Sequence, residues 1–323
     1  MINSEQKNKK LKEKLMSKVL LVNVKEQDDG MRLNRWFLKY YPDLPLSRLQ
    51  KLLRTKQIKV AGKKAETSLK LQAGWEIRIP PLEDKPQEKE KDFVSDKNKE
   101  LIQSLVIYKD KNIIALNKPS GMAVQGGTNT FHHIDALMPA LKYENDETPK
   151  LVHRIDKDTS GLLVLARDRK NAELLTKAFK EHNLQKTYLA LVKGCPAKMS
   201  GQIKAPLEKV AEKSLVTPEG KKAITDYRVL DHLGDKFALI EARPLTGRTH
   251  QIRAHLEYMG TPIVGDDKYY GEKKTKTANI KDKLYLHSYK IDLSGIYNGL
   301  KLKATLPQYF IEALSVLGLD FEE

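Results

Sequence analysis

Apolar positions along this chain fall into two spacings, separated by stretches that have neither. From Gly30, the residues Leu33, Trp36, Phe37 and Tyr40 recur at three- and four-residue steps, and Leu46, Leu49, Leu52 and Leu53 repeat the pattern around Ser47, a capping candidate. That spacing predicts two short helices. Ile58 and Val60, then Trp75, Ile77 and Ile79, alternate as half-buried strands do, with a turn at Ala61-Gly62. After Leu101, short apolar runs take over: Leu105–Tyr108, Ile113–Leu116, Leu162–Ala166, Tyr188–Val192, Ile224–Val229, Phe237–Ala242, Leu284–Leu286 and Leu300–Leu306. These predict strands. Helical spacing returns in Asn171–Lys180 (Leu174, Leu175, Ala178, Phe179), in Thr249–Met259 (Ile252, His255, Leu256, Met259) and near Tyr309–Val316. The predicted class is α+β: a mixed, mainly antiparallel sheet with covering helices, preceded by a small α+β domain.

Two stretches lack either period. Residues 1–17 are polar and Lys-rich and cannot bury enough apolar area to offset the entropy of ordering, so they read as a basic tail. Residues 83–100 mix charges around Pro86 and read as a charged linker. As a flexible coil it would span about 23 Å. The expected organisation is therefore tail 1–17, small domain 18–82, linker 83–100 and main domain 101–323, without internal repeats.

Charge sharpens this picture. The chain has 323 residues, with Lys+Arg 58 against Asp+Glu 42, a net +16. Residues 1–82 alone hold 19 Lys/Arg and 8 Asp/Glu, a net +11. Such a surplus favours a polyanionic partner. On the second predicted helix Arg48, Lys51 and Arg54 step by three on a face away from the leucines, and Lys56, Lys59, Lys63 and Lys64 continue the stripe. It suits phosphates, although an ordinary solvated face has the same pattern.

Other classes find little support. Cys195 is the only cysteine, which removes disulfides and thiolate zinc sites and points to a reducing compartment. No apolar run reaches membrane-span length, and the polar N-terminus carries no signal core. Residues 1–31 contain no Arg and five acidic residues, unlike a mitochondrial transit peptide, so a cytoplasmic location is expected. His132-His133, His153 and His250 lack partners at metal-ligand spacing. Gly-rich phosphate loops are absent, and Thr159-Ser160-Gly161 lacks the preceding glycine of a nucleophile elbow.

The run from His153 to Val164, His-Arg-Ile-Asp-Lys-Asp-Thr-Ser-Gly-Leu-Leu-Val, resembles the catalytic signature of the RluA/RluC-type RNA pseudouridine synthases. Gly247-Arg248-Thr249-His250-Gln251-Ile252-Arg253-Ala254-His255 is similar to the second family signature, Lys186-Thr187-Tyr188-Leu189-Ala190 to the strand with the active-site tyrosine, and Asn117-Lys118-Pro119-Ser120-Gly121 to the first motif. Residues 18–82 resemble the RNA-binding module first described in ribosomal small-subunit protein S-four. The resemblance covers about residues 18–310. It implies the pseudouridine synthase fold and the isomerisation of uridine in RNA without cofactor or metal. Ala123-Val124-Gln125-Gly126-Gly127 and Lys204-Ala205-Pro206-Leu207 bring the chain closest to the RluC-type enzymes of large-subunit (23S) ribosomal RNA. That implies ribosomal RNA as partner, before or during subunit assembly, with no role for DNA or membrane.

Pseudouridine formation breaks the uracil N1 to ribose C1′ bond, turns the base and rejoins it through C5. The protein must supply an anion, a grip on the detached uracil and a way to extrude the nucleotide. By resemblance Asp156 is the catalytic carboxylate, as nucleophile or base, Arg253 its partner and Tyr188 the ring against the flipped base. Burial alone raises a carboxylate pKa by as much as about 3–5 units, so a nearby cation is needed to keep it charged. If Thr249 caps a helix, Arg253 lies one turn in, and Arg248 at the helix mouth faces a phosphate beside free backbone N–H groups. Arg154 is implied to fill the space left by the extruded nucleotide or to contact the RNA backbone. Pro119 and Gly121 are expected to shape a turn. Two residues depart from the family: Gln125 replaces a common His, putting any histidine role there in doubt, and Tyr270 replaces a usual Gly, suggesting a different turn. Two rivals are weighed. One is a hydrolase using Asp156 and Asp158 as a carboxylate pair, which in retaining glycosidases lies about 5–5.5 Å apart. The other is a non-enzymatic ribosomal RNA-binding assembly factor.

Overall fold

A computed structural model describes residues 19–42, 44–82, 94–126, 133–145, 147–270 and 280–322. The expected tail 1–17, residues 83–93 of the expected linker, Gly127 and His132 lie outside them. The chain forms two compact units, Met1–Lys91 and Asp92–Glu323.

In the first unit, strand β1 (Leu20–Asn23) precedes helices α1 (Leu33–Tyr40) and α2 (Leu46–Arg54), followed by β2 (Lys59–Val60), β3 (Lys63–Lys64) and β4 (Glu76–Ile79). The strands form an antiparallel sheet in the order β1-β4-β2-β3. Leu33, Trp36, Phe37, Leu49 and Leu53 from the helices pack on Ile58, Val60, Ile77 and Ile79. The hairpin β2–β3 turns at Ala61 (φ 46°) and Gly62 (φ 72°), the paired left-handed residues that a two-residue turn demands. Ser47 does not cap α2. The cap position is Pro45, because the helix starts one residue earlier than the polar candidate.

The second unit begins with α3 (Asp96–Ser104), which takes up the end of the expected linker. Its sequence shows little apolar period, but Ile102 is fully buried and Gln103 Nε2 donates to Ala140 O at 3.0 Å. Tertiary packing, rather than pattern, orders those residues. Next come β5 (Val106–Lys109), β6 (Ile113–Lys118), α4 (Ile134–Leu137), β7 (Lys150–Leu151), β8 (Ser160–Ala166), α5 (Arg169–Lys180) and β9 (Gln185–Lys193). They are followed by β10 (Ser200–Lys204), β11 (Leu207–Val210), β12 (Lys213–Val216), β13 (Ile224–Leu233), β14 (Phe237–Pro244), α6 (Gln251–Tyr258), β15 (Leu286–Asp292), β16 (Lys301–Lys303) and α7 (Gln308–Leu317).

Ten strands make one sheet in the order β10-β13-β14-β9-β15-β8-β6-β5, with β16 on β15 and β7 on β8, while β11 and β12 pair apart. Only the β15–β8 pairing is parallel among the described strands. The class is thus mixed α+β with a mainly antiparallel sheet, as the run pattern predicts. Alternation sends Ile113, Ala115, Leu162 and Val164 to the face covered by α5, and Ile114, Leu116, Leu163 and Leu165 to the face covered by α3 and α4. Asp168 caps α5 by accepting from Asn171 N at 2.7 Å. Leu175 and Ala178 of α5 are buried, whereas Leu174 is exposed. No helix among the described residues is long and apolar enough to cross a membrane.

Candidate active site

A single register row across the middle of the sheet sets the geometry. Lys118 pairs with Gly161, Gly161 with Ser288, and Ser288 with Tyr188. Strands lie about 4.8 Å apart. The start of β8, and with it the 152–159 loop that carries Asp156, therefore sits two strands from Tyr188.

Gly161 is required at this row. Its φ is +105°, and a Cβ there would meet Ser288 O at 2.2 Å. Beneath the loop, fully buried Lys118 donates from Nζ to Pro119 O (2.9 Å), Met122 O (2.8 Å) and Lys157 O (2.8 Å). Three acceptors use all three hydrogens of an ammonium. Burial pulls the Lys118 pKa down to about 7, opposed by the charges of Asp158 and Asp156. Gly121 N donates to Lys157 O at 3.0 Å and Ser120 Oγ to Asp158 O at 2.8 Å, so the first motif is a clamp on the Asp156 loop. His153 holds the other end: Nε2 accepts from Val164 N at 2.8 Å, and the ring stacks on Phe179 at 4.2 Å.

Asp156 leaves this loop with 30% of its side chain exposed and its Oδ2 lies 3.7 Å from Arg253 Nη1. The 96 intervening residues are closed by α6, whose N-terminal turn is fixed to the sheet. Gln251 Nε2 donates to Ile224 O (2.9 Å) and Thr225 Oγ1 (3.0 Å), while buried His255 is bonded to Thr225 Oγ1 and Ala205 O, each at 2.9 Å. Thr249 is not the cap. The helix starts at Gln251 after a left-handed His250, because Gln251 Oε1 accepts from Arg248 N (3.0 Å) and Thr249 O is taken by Ser214 Oγ (2.7 Å).

Arg253 is almost wholly buried, and its fork is occupied. Nε and Nη2 donate to Asp266 Oδ2 and Oδ1 at 2.7 and 2.6 Å, leaving Nη1 toward Asp156. Burial works against the Arg253 charge, but the hydrogen bonds and charge of Asp266, with Asp156 and Tyr269, raise its pKa overall. Tyr188 is half-buried, where two apolar clusters meet. Burial pushes its phenol up to about 12, against a lowering by the Ser288 hydroxyl, with the Asp156 charge adding to the rise. At neutral pH it is a phenol with a proton to donate.

The remaining candidate cations are exposed, apart from the half-buried Arg48. Arg154 is exposed on the Asp156 loop. Arg248 is exposed, but its Nε donates to Lys222 O at 3.1 Å, and its backbone N–H is used by Gln251. Arg48, Lys51 and Arg54 belong to α2 in the first unit, on the face opposite Leu49 and Leu53. Gln125 is exposed. Tyr270 takes no left-handed backbone; its N–H donates to Asp266 O at 3.0 Å, so the segment needs no glycine there. Sequence reading missed Lys118, His250, Asp266 and Tyr269 as members of the site. Asp266 stood only in a segment noted for its departure at Tyr270, with no local signal that it faces Arg253.

The arrangement sets a part-exposed carboxylate against a fixed guanidinium, with a protonated phenol near enough to feel the carboxylate's charge. Residues 112–258, which include Asp156, Tyr188 and Arg253, match the family model described as RNA pseudouridylate synthase. Ribosomal large subunit pseudouridine synthase C of Rickettsia conorii is 39% identical over 296 residues, covering 88% of this chain and 96% of that protein. RNA pseudouridine synthase 4, mitochondrial, of Arabidopsis thaliana is 40% identical over 296 residues, covering 76% of this chain and 62% of its own. Of solved structures, Human RNA Pseudouridylate Synthase Domain Containing 4 matches with a TM-score of 0.62 at 26% identity, over 70% of this chain and 99% of that one. With identity sustained along nearly the whole chain and the matched segment holding the carboxylate, the guanidinium and the phenol, this chain belongs to the RNA pseudouridine synthase family.

Proposed function

We propose that this protein isomerises uridines to pseudouridine in large-subunit ribosomal RNA, with Asp156 as the catalytic carboxylate. The observation that carries this reading is the part-exposed Asp156 held 3.7 Å from the buried Arg253. A carboxylate that must act on an extruded nucleotide needs solvent access on one side and a fixed cation on the other. In this reading Asp156 serves as nucleophile or base, Arg253 is its fixed partner, and Tyr188 stacks on or donates to the uracil. Arg154 fills the gap left by the nucleotide, and Arg248 contacts phosphate. The large-subunit substrate rests on the name of the Rickettsia relative.

Residues 18–82 act as an S-four-like RNA-binding domain, with Arg48, Lys51 and Arg54 on the RNA backbone, joined by a linker to the catalytic domain 101–323. The reaction consumes no cofactor, takes place in the cytoplasm and meets its RNA before or during subunit assembly. Product analysis tests the reading. Purified protein incubated with a ribosomal RNA transcript is expected to yield pseudouridine, detected by chemical labelling. Asp156→Asn should abolish the product and Asp158→Asn should keep a measurable rate. Binding without any pseudouridine would favour an assembly factor, and equal complete loss in both variants a carboxylate pair.

A further inference from the structure

His250 has no part in the reading above, yet it is the second group that faces the carboxylate. It stands before α6 with φ 51° and ψ 24°, a left-handed backbone uncommon outside glycine, although Asn, Asp and His enter it more often than other residues. Such a conformation persists where its surroundings hold it, often beside a reacting group. Its Nε2 lies 3.8 Å from Asp156 Oδ2, and its Nδ1 3.1 Å from Tyr269 Oη.

The hydrogen-bond chain favours one placement of the His250 proton. Ser214 N–H donates to Tyr269 Oη at 2.6 Å, so this oxygen accepts there and its own proton is free for His250 Nδ1. Burial raises the Tyr269 pKa, so the phenol retains that proton. Burial also lowers the His250 pKa, against a raising by Asp156; Arg253 and Lys268 lower it, and Asp266 raises it. A neutral ring that accepts at Nδ1 carries its hydrogen on Nε2, toward Asp156. Arg253 Nη1 and His250 Nε2 converge on the same oxygen, Oδ2, at 3.7 and 3.8 Å. Oδ1 takes no hydrogen bond from the described residues.

We propose that His250 is a positioning residue for Asp156: the chain Ser214, Tyr269, His250 presents one N–H to Oδ2, which with Arg253 fixes the carboxylate and leaves Oδ1 for the nucleotide. This rests on the isomerase reading. A separation of 3.8 Å exceeds a hydrogen bond, and contacts of this kind tighten when substrate binds.

The test uses full-length protein and a ribosomal RNA transcript bearing uridine tritiated at C5, whose release to water reports isomerisation. His250→Asn keeps a residue that tolerates left-handed backbone while removing the ring, and Tyr269→Phe removes only the hydroxyl. Single-turnover rates for His250→Asn should fall about 10-fold at neutral pH with RNA affinity unchanged, the scale of a lost donor to a charged group. Tyr269→Phe should lower the rate by less, and the double variant should be no slower than His250→Asn. Multiplying effects, or rates within about 2-fold of wild type, overturn the role. In 15N-histidine NMR of the unmodified protein, His250 should be the Nε2–H tautomer, and an Nδ1–H form refutes the relay whatever the variants do. Wild-type protein that releases no tritium overturns the isomerase reading, and the positioning role with it; normal wild-type release with insensitive variants overturns the positioning role alone.

Discussion

Arg253 shows how one guanidinium serves two carboxylates with different tasks. Fully buried Asp266 takes both arms of the fork at 2.6–2.7 Å, which fixes the plane of the group, and part-exposed Asp156 meets only Nη1 at 3.7 Å. A bidentate pair has defined geometry, whereas a single looser contact constrains the second carboxylate less. His153 shows the opposite use of burial. Burial, with a smaller contribution from Lys186, lowers its pKa to about 3, and Nε2 already accepts from Val164 N–H. The unfolded chain takes up a proton as pH falls through about 6.5 while the folded chain does not, so stability is full above that value and is lost as pH falls toward 3. At pH 5 the loss should be about 2 kcal/mol. Urea denaturation at pH 7 and pH 5 measures it; His153→Asn should flatten the difference, and an equal slope in both proteins would contradict a neutral His153.

At the scale of elements, the sheet register aligns the chemistry. Gly161 stands where the parallel β8–β15 pair brings Ser288 O within 2.2 Å of any added Cβ, at a φ of +105°. Gly161→Ala therefore forces β8 and β15 apart in the row that also holds Tyr188. The expected cost is about 3 kcal/mol, a fall in Tm of about 6–12 °C. Turnover should fall with it. A thermal melt matching wild type would show that the row has slack. The run pattern revealed most of the strands of this sheet, but not the two-residue β7 or the largely exposed β10, nor the separate, largely exposed pair β11 and β12. It also revealed α5 and α7. The start of α6 was misplaced because Gln251, rather than Thr249, satisfies the turn, a choice made by the position of Ile224 and Thr225 on β13.

At the scale of the whole molecule, most of the net charge and the candidate catalytic residues fall in different units. Residues 1–82 carry 19 of the 58 Lys/Arg, while Asp156, Tyr188 and Arg253 all belong to Asp92–Glu323. Phosphate contacts give affinity that falls steeply with salt and carries little base preference. Deleting residues 1–82 is thus expected to weaken RNA binding and flatten its salt dependence more than it lowers the rate on saturating RNA. Titration of binding against salt for both proteins measures this, and equal affinities and slopes would contradict the division of labour.

Local pattern in the chain determined where helices and strands form, which stretch is basic, and that Asp156 lies in a tight loop ahead of an apolar strand. Those features depend on neighbours within a few residues, so periodicity and turn chemistry expose them. Only the tertiary structure decided that Asp266 occupies the Arg253 fork, that Lys118 clamps the Asp156 loop, and that His250 reaches Asp156 from a left-handed turn. Each of these joins separate segments whose approach is set by strand register and by burial of charge, and neither leaves a period in the sequence.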